Sequence, residues 1–521
     1  MACWRALQIT EIVRMICLEA YSEERYLRPT TLLALTTTSK IFSEPALDIL
    51  WHEQSSLVPL VKCMPESLWE ERESGKDAVL HIRRPIESSD ISKLLFYSMR
   101  VRIFERRPYG REKTVHPEFL RALDMALPPN FMPKLVSLKW TPRLKHEVSL
   151  RHFLQPQLQK ISLDIEDSVS ALSILPYIKS CCPLITDLDL ALQSDRPHTV
   201  SVMSNLVCGL HHLTDLSVPN LDEMGFRHVA QLPFLTKLSV SWAAEHSTLY
   251  PPDFLSETAF PALTSLSVCC RTARLCMGII QTISSSRFAR LYIYPLANWT
   301  TAAWQDLHTS LRDLSIKSVF KTLEVEDMDS YSGLDVGLHV VSEDSLRPLL
   351  AIKTLNNLTH HTHAGVDVGD DFLEEMARAW PSIGSILFRS DCLHPLPRAT
   401  LKCLIPFARC CPELDYLELR MNAVNVPEFV QAPGQRIRHE VLEYLEVGES
   451  PIARGKEARV AAFISNLFPE LDSLIVPDAM SLLDEDSRTH AKSWRRVKEM
   501  LPVFCEIRAE EKEFWRQELR S

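Results

Sequence analysis

The stretch CCPLITDLDL, residues 181–190, combines two adjacent cysteines and a proline with aliphatic residues at fixed intervals. From Ile185 the pattern is apolar-x-x-apolar-x-apolar, which also includes Leu188 and Leu190. The cysteines suggest a metal or redox site, whereas the spacing suggests one unit of a repeat. Whether the same pattern recurs elsewhere in the chain distinguishes these two interpretations.

The six-residue pattern occurs twelve times, usually at steps of 22 to 31 residues. The copies begin at Leu135, Leu158, Ile185, Leu213, Leu235, Leu263, Phe288, Leu311, Ile383, Leu414, Leu442 and Leu471. One gap of 72 residues separates Leu311 from Ile383, and LTHHTH from Leu358 is a plausible eroded unit inside it. L-x-x-L-x-L in units of 20–29 residues is typical of leucine-rich repeats.

The repeat predicts an α/β fold. Each short strand buries its apolar side only when neighbouring units stack, and a helical return segment covers the other side. We therefore expect an irregular leucine-rich-repeat solenoid, a curved, right-handed stack of strand–helix units. Cys181 and Cys182, and likewise Cys410 and Cys411, then fall at the end of the helical segment, where we expect them to be small buried apolar residues.

Composition excludes several classes of protein. The chain has 521 residues, a net charge of −10 and a pI near 6.0, which argues against a general nucleic-acid or anionic-membrane binder. No CxxC pair occurs among the 14 cysteines, so a reducing compartment, cytoplasmic or nuclear, is expected. No signal peptide and no run of 18 apolar residues is evident, and we predict no membrane span.

The first 55 residues have a different, helical periodicity. LQITEIVRMICLEAY carries an apolar stripe at helical spacing, and RPTTLLALTTTSKIF carries a second stripe that includes Ser39 and Phe42. EPALDILWHEQ predicts a third helix with Pro45 in its first turn. Three helices in about 45 residues form a bundle too small to be stable without a partner or the repeats.

These motifs resemble the large fungal family of F-box proteins with degenerate leucine-rich repeats. The family motif runs (L/I)-P-E-(I/V/L)-x-x-x-I, then Ser/Cys-Lys-x-Phe, then (E/D)-P-A-L-D-x-L-W. This chain has ITEI from Ile9, SKIF from Ser39 and EPALDILW from Glu44, with Thr10 where the family usually has proline. LVPLVKCMPESLWE, residues 57–70, and MARAWPSI, residues 376–383, extend the resemblance into the repeats.

The resemblance implies a substrate receptor of an SCF-type ubiquitin ligase. The F-box would bind a Skp-type adaptor and through it a cullin, and the repeats would bind a protein substrate that the sequence does not identify. Carried over from the family, the adaptor-binding residues are Ile9, Glu11, Ile12, Ile16, Leu47, Leu50 and Trp51. The alternatives are that these residues only pack against the first repeats, and that the chain is a protein-binding scaffold with no role in ubiquitination.

Four segments follow from these patterns. Residues 1–55 form the F-box-like helical domain, and residues 56–130 hold a linker helix and the first degenerate repeats. Residues 131–480 form the solenoid, and residues 481–521 are expected to be a helix that caps its open end.

The outward positions of two adjacent C-terminal strands repeat the same residue pair. Tyr416 with Glu418, and Tyr444 with Glu446, predict an aromatic and acidic ladder on the concave surface. The ladder is suited to a basic segment of a substrate. The alternative is a solvated strand face on which the tyrosines pack against each other.

No pattern indicates catalysis or a cofactor. GESPIARGKEA has the wrong spacing for a phosphate-binding loop, HEVLE lacks the second histidine of a zinc protease, and no G-x-S-x-G elbow occurs. HHTH could bind a metal, but it overlies a repeat strand in which His361 and His363 would replace aliphatic residues. We therefore predict a protein that is not an enzyme and needs neither metal nor cofactor.

Overall fold

The computed structural model describes residues 9–22, 28–74, 77–105, 114–141, 148–192, 196–242, 259–327, 339–390, 396–428, 437–478 and 485–518. The chain divides into two compact units, Met1–Leu235 and Thr236–Ser521. In each unit, short parallel strands alternate with helices.

Three helices open the first unit: α1 (Thr10–Ser22), α2 (Arg28–Thr38) and α3 (Lys40–Leu50). They share a small apolar core formed by Val13, Cys17, Leu32, Ala46 and Ile49. The helical stripes seen in the sequence therefore correspond to real helices.

The boundary between the second and third helices differs from the prediction. Ser39 does not continue α2 but precedes α3, and its hydroxyl accepts the amide of Ile41. Pro45 lies inside α3 instead of in its first turn, where the missing proline N–H removes one helical hydrogen bond. Serine is among the strongest N-cap residues, and here it starts the helix at Lys40, five residues before the proline.

The rest of the first unit continues from α3. In chain order its elements are β1 (Glu53–Gln54), α4 (Val58–Lys62), β2 (Trp69–Ser74), β3 (Asp77–Ile82), α5 (Ser92–Ser98), β4 (Ile103–Glu105), β5 (Thr114–Val115), α6 (Pro117–Ala126), β6 (Ser137–Trp140), β7 (Lys160–Asp164), α7 (Val169–Leu172), α8 (Ile174–Cys181), β8 (Asp187–Ala191), α9 (Pro197–Val207), β9 (Asp215–Val218) and α10 (Glu223–Ala230). The parallel sheet has the order β1-β4-β6-β7-β8-β9, while β2, β3 and β5 form a separate small sheet.

The second unit repeats the same arrangement. Its elements are β10 (Lys237–Trp242), β11 (Ser265–Cys270), α11 (Ala273–Thr282), β12 (Arg290–Pro295), α12 (Thr301–Ser315), β13 (Thr322–Glu326), β14 (Val341–Ser342), α13 (Glu343–Leu346), β15 (Asn357–His361), β16 (Val366–Asp367), α14 (Asp370–Ala379), β17 (Ser385–Arg389), α15 (Leu404–Cys410), β18 (Tyr416–Leu419), β19 (Tyr444–Glu446), α16 (Glu457–Leu467), β20 (Ser473–Ile475) and α17 (Glu485–Glu518). Its main sheet is parallel, in the order β10-β11-β12-β13-β15-β17-β18-β19-β20.

Eleven of the twelve predicted repeat strands are confirmed, and each strand begins two residues after the first position of its copy. The aliphatic positions are buried while the intervening residues point outward, as in Arg290–Pro295, where Leu291 and Ile293 are fully buried. The chain has the α/β leucine-rich-repeat fold that its sequence predicts.

The copy predicted at Leu311 is wrong. Leu311 lies in α12, where Trp304, Leu307 and Leu314 share its buried face at helical spacing. The strand of this unit is β13, and Phe320 occupies its first apolar position. A six-residue pattern cannot separate a strand from a helix whose apolar residues recur three and four apart.

The frame predicted for the eroded unit is also wrong. Its first apolar position is Leu355, so Leu358 is the second and His360 the third. His360 is fully buried, whereas His361 and His363, which the sequence assigns to the aliphatic positions, are half-buried.

Proline marks the turn between helix and strand in several units. Cys182, Trp380, Cys411 and Phe468 each end a helix with φ between −118° and −126° and ψ between 66° and 73°. Each precedes a proline, which disfavours helical backbone in the residue before it. In three of these turns the carbonyl of the helix-ending residue accepts the amide three residues on, so the proline occupies the second turn position.

The paired cysteines are confirmed only in part as buried apolar residues. Cys182 and Cys411 are fully buried, and burial raises the pKa of each thiol to about 12. Cys181 and Cys410 are half-buried, because they lie one residue earlier on the helix and point away from the core.

The C-terminal segment is a long helix, α17, that packs against α16. Its buried face contains Ala491, Trp494, Val497 and Leu501. The indole Nε1 of Trp494 donates to the carbonyl of Ser450 at 2.8 Å, so this side chain is part of the core. The helix thus covers the last repeat, in the manner expected of a capping segment.

Candidate functional site

Helix α1 has a buried face and an apolar face that the described residues leave exposed. Val13 and Cys17 point into the core, whereas the side chains of Ile9 and Ile16 are 47% and 40% exposed. Ile12 is half-buried and Glu11 is exposed. Four further large apolar side chains in the three-helix bundle are exposed, namely Met15, Leu18, Leu33 and Ile41. We call Ile9, which immediately precedes α1, together with Ile12 and Ile16 the α1 apolar face.

The residues predicted at the end of α3 are less accessible. Leu47 is half-buried, and Leu50 packs against the core of the bundle. Trp51 is 8% exposed and stacks on Tyr97 with a centroid distance of 4.7 Å and an interplanar angle of 22°. Tyr97, a residue of the same unit, therefore already covers one face of the Trp51 ring.

An arginine joins the three-helix bundle to the segments that follow it. Arg100 donates to Glu44 at 2.7 Å and also to Asp48, four residues further along α3. Its guanidinium lies 4.9 Å from the ring of Phe96, and its side chain is only 10% exposed. These contacts and the Trp51–Tyr97 stack fix the orientation of α3 within the first unit.

The predicted tyrosine–glutamate ladder is present on the second unit. Tyr416 and Tyr444 stack with a centroid distance of 5.6 Å, and their strands pair in register. The Tyr416 hydroxyl donates to Glu446 at 2.8 Å. Burial, strengthened by this bond to the carboxylate, raises the pKa of Tyr416 to about 12.

The sequence interpretation missed the arginine that neutralises this ladder. Arg389, at the end of β17, donates its Nε to both carboxylate oxygens of Glu418 at 2.6 and 2.7 Å, and its Nη2 lies 3.4 Å from Glu446. The hydrogen bond to Glu418 raises the pKa of Arg389, and burial raises the pKa of Glu418. Arg389 occupies the outward position directly after the six-residue copy that begins at Ile383, so extending each copy by one residue would have found it.

Two more strands present a similar set of side chains. Tyr292 and Tyr294 point outward from β12, and Glu324 and Glu326 point outward from β13. The sequence interpretation missed both glutamates, because it placed the strand of this unit at Leu311. A shallow groove of about 330 Å³ runs from these glutamates to the ladder, and it is lined by Glu324, Glu326, Thr359, His361, Ser385, Leu387, Arg389 and Tyr416.

The buried histidines do not form a metal-binding group. Within the described ranges, no group of three or more His, Cys, Asp or Glu side chains is arranged to hold a metal ion. His308 and His360 lie 5.2 Å apart between ring centroids, and Trp304 packs against both rings. Burial lowers the pKa of His308 to about 4 and lowers that of His360 strongly.

No helix in the described part of the chain is both long enough and apolar enough to cross a membrane. The long helix α17, with its many charged residues, does not meet this condition.

No protein-family model matches the sequence, and no curated protein matches it. Among solved structures, the yeast complex of Rad7 and Elc1 aligns with 64% of this chain and 84% of that chain, at 17% identity and a TM-score of 0.32. The leucine-rich repeat-containing protein LegL7 from Legionella pneumophila aligns with 65% of this chain and 97% of that chain, at 9% identity and a TM-score of 0.31. At these TM-scores the alignments add nothing to the description of the site.

Proposed function

We propose that this chain is a non-catalytic substrate receptor of an SCF-type ubiquitin ligase. The three-helix bundle would dock on a Skp-type adaptor, which links it to a cullin, and the outward strand faces would bind a protein substrate. Ubiquitin would then be transferred by other subunits, and the chain would contribute proximity.

The observation that carries this proposal is the α1 apolar face. Ile9 and Ile16 occupy apolar positions of the F-box-like motif, and they remain largely exposed in a bundle that has already formed its own core. Fully burying an exposed isoleucine side chain contributes about 1.5–3 kcal/mol, and somewhat under half of that area remains to be covered on Ile9 and on Ile16. Contiguous exposed apolar side chains on a helix are typical of protein–protein contacts.

The contacts of α3 support a rigid docking surface. Because Arg100 and Tyr97 hold this helix in place, the bundle would lose little conformational entropy on docking. Trp51 would contribute by holding the end of α3 in place. Leu47 is half-buried and would offer the adaptor a smaller apolar area than Ile9 or Ile16.

The test is co-purification of the full chain with a fungal Skp adaptor. We expect a one-to-one complex with wild type and at least roughly tenfold weaker binding when Ile9→Asp and Ile16→Asp place two charges on the α1 apolar face. The matched control is Val169→Asp with Met224→Asp, which places two charges at positions 76% and 65% exposed in the same unit. Circular dichroism verifies that both variants fold.

A scaffold with no role in ubiquitination is the second candidate. The internal stacking of Trp51 favours it, because it removes one apolar residue from the surface that the family resemblance assigns to the adaptor. Folded wild type that shows no adaptor binding at micromolar concentration, while the strand faces still bind peptide, would establish this second function and exclude the first.

A further inference from the structure

Tyr292, Tyr294, Glu324 and Glu326 lie on one face of two paired strands. Tyr292 pairs with Glu324 in parallel register, and the alternating residues Leu291 and Leu323 are fully buried on the opposite face. The four outward side chains are therefore neighbours across a strand spacing of about 4.8 Å. We refer to these four residues as the tyrosine–glutamate face.

Neither carboxylate of this face has a cation as partner among the described residues. Glu324 and Glu326 form no ion pair within the ranges that the structure describes. Burial, followed by the negative charge of Glu326, raises the pKa of Glu324. Burial and the two carboxylates likewise raise the pKa of Tyr294. An added positive charge would relieve this repulsion.

The same sheet shows which cation such a group binds. Four and five strands along the sheet from β12, Glu418 and Glu446 also lie on adjacent strands beside a tyrosine, and there they share the guanidinium of Arg389. Arg389 lies two strands from Glu326 and also two strands from Glu446, and its guanidinium is turned toward Glu418 and Glu446. Because Glu418 and Glu446 bind this guanidinium, Arg389 leaves Glu324 and Glu326 without an ion pair in the described part of the chain.

We propose that the tyrosine–glutamate face binds an arginine side chain presented by an extended segment of a partner protein. The guanidinium would lie against Tyr292 or Tyr294 and donate to Glu324 and Glu326, as Arg389 does to its own glutamates. A planar guanidinium stacks on aromatic rings and binds carboxylates through two parallel hydrogen bonds, which an ammonium group does not. The partner segment would continue along the groove toward His361. This inference rests on the part of the proposed function that assigns protein binding to the strand faces.

The test uses fluorescence polarisation with the full chain and three labelled ten-residue peptides. Serine alternates with arginine in the first, with lysine in the second and with citrulline in the third. We expect the arginine peptide to bind most tightly and the citrulline peptide to show no binding. Glu324→Gln with Glu326→Gln should weaken binding of the arginine peptide at least tenfold, because two charge-assisted contacts are lost.

The matched control is Glu413→Gln with Glu443→Gln, which removes the same charge from exposed positions of the same unit. This control should change the affinity less than twofold. Equal losses in the two variants would show attraction by net charge alone and would overturn the proposal. Equal binding of the lysine and arginine peptides would overturn the assignment of a guanidinium.

Failure of this inference is distinguishable from failure of the proposed ligase role. Glu324→Gln with Glu326→Gln leaves the three-helix bundle unaltered, so its capture of the Skp adaptor should equal that of wild type. Peptide binding without adaptor capture would contradict only the ligase role. Adaptor capture without peptide binding would contradict only the assignment of the arginine site.

Discussion

His360 stands where the other repeats place an aliphatic or aromatic side chain. Neither ring nitrogen has a hydrogen-bond partner among the described residues, and the Nε2 of the neighbouring His308 also lacks one. His308 Nδ1 lies 2.7 Å from the carbonyl of Ser345, which accepts its proton in the neutral ring. A buried polar ring without partners costs free energy, and its charged form costs more.

These two histidines predict loss of stability in weak acid. Both have pKa values lowered by burial, so between about pH 6.5 and pH 4 the unfolded chain binds protons that the folded chain excludes. The contribution of the two neutral rings to the free energy of unfolding is fully present above about pH 6.5. It is lost as the pH falls through this window. For His308 alone the loss is about 2 kcal/mol at pH 5 and about 3 kcal/mol at pH 4. Urea unfolding at pH 7.5, 6, 5 and 4 measures it.

The matched variants are His360→Leu and His361→Leu. Replacing His360 restores the aliphatic residue of the repeat, so we expect higher stability at pH 7.5 and a smaller loss toward pH 5. His361 is on the outward side of the same strand, and its replacement leaves the buried pair of histidines in place. If His360→Leu keeps the full acid loss, the buried pair is not its cause.

At the scale of the element, proline has opposite effects in two places. Pro412 follows a helix-ending residue and fits the second turn position, where its fixed φ matches the folded chain. Pro502 lies inside α17, where it cannot donate to the carbonyl four residues before it.

The same substitution should therefore have opposite signs at the two prolines. Pro412→Ala should lower the free energy of unfolding by about 0.4–1 kcal/mol, because the unfolded chain gains conformational freedom. Pro502→Ala should stabilise α17, because residue 502 gains an N–H for the helical ladder. Thermal unfolding measures the first effect, and hydrogen exchange of the α17 amides measures the second. A gain in stability for Pro412→Ala would contradict the assigned turn.

Leu311 shows how far an element can be predicted from local pattern. The residues L-R-D-L-S-I satisfy the strand pattern, but Leu311 belongs to a helical face that begins at Trp304. The 32 residues between Phe288 and Phe320 exceed the usual step of the repeat, because α12 extends over 15 residues. The prediction failed because six residues can match the strand pattern and also the three-and-four spacing of a helix.

At the scale of the whole molecule, the C-terminal helix closes the last repeat. Trp494 and Leu501 bury their side chains, and Ser493 donates to Glu457 at 3.1 Å. A repeat at the end of a stack has no further unit to cover its apolar residues, so a capping segment is required for solubility.

Deleting this helix should therefore cause aggregation. A chain ending at residue 478 exposes the α16 residues that Trp494 and its neighbours cover, and we expect a lower melting temperature and large species in light scattering. A chain ending at residue 508 keeps Ala491, Trp494, Val497 and Leu501, the apolar residues of α17 that are buried where its burial is described, and should remain monodisperse. A monodisperse shorter chain would show that α17 is not a cap.

The sequence by itself determined the repeat, the parallel strands and the helical first segment, because each depends on the spacing of apolar residues within a short segment. It also indicated the stacked tyrosines, since adjacent copies align them. Only the tertiary structure decided which charges are compensated. Arg389 meets Glu418 and Glu446 from 29 and 57 residues away, through the register of parallel strands. It also decided that Trp51 stacks inward on Tyr97 while Ile9 and Ile16 remain exposed. Such pairings depend on distances between side chains on different elements, which no local pattern encodes.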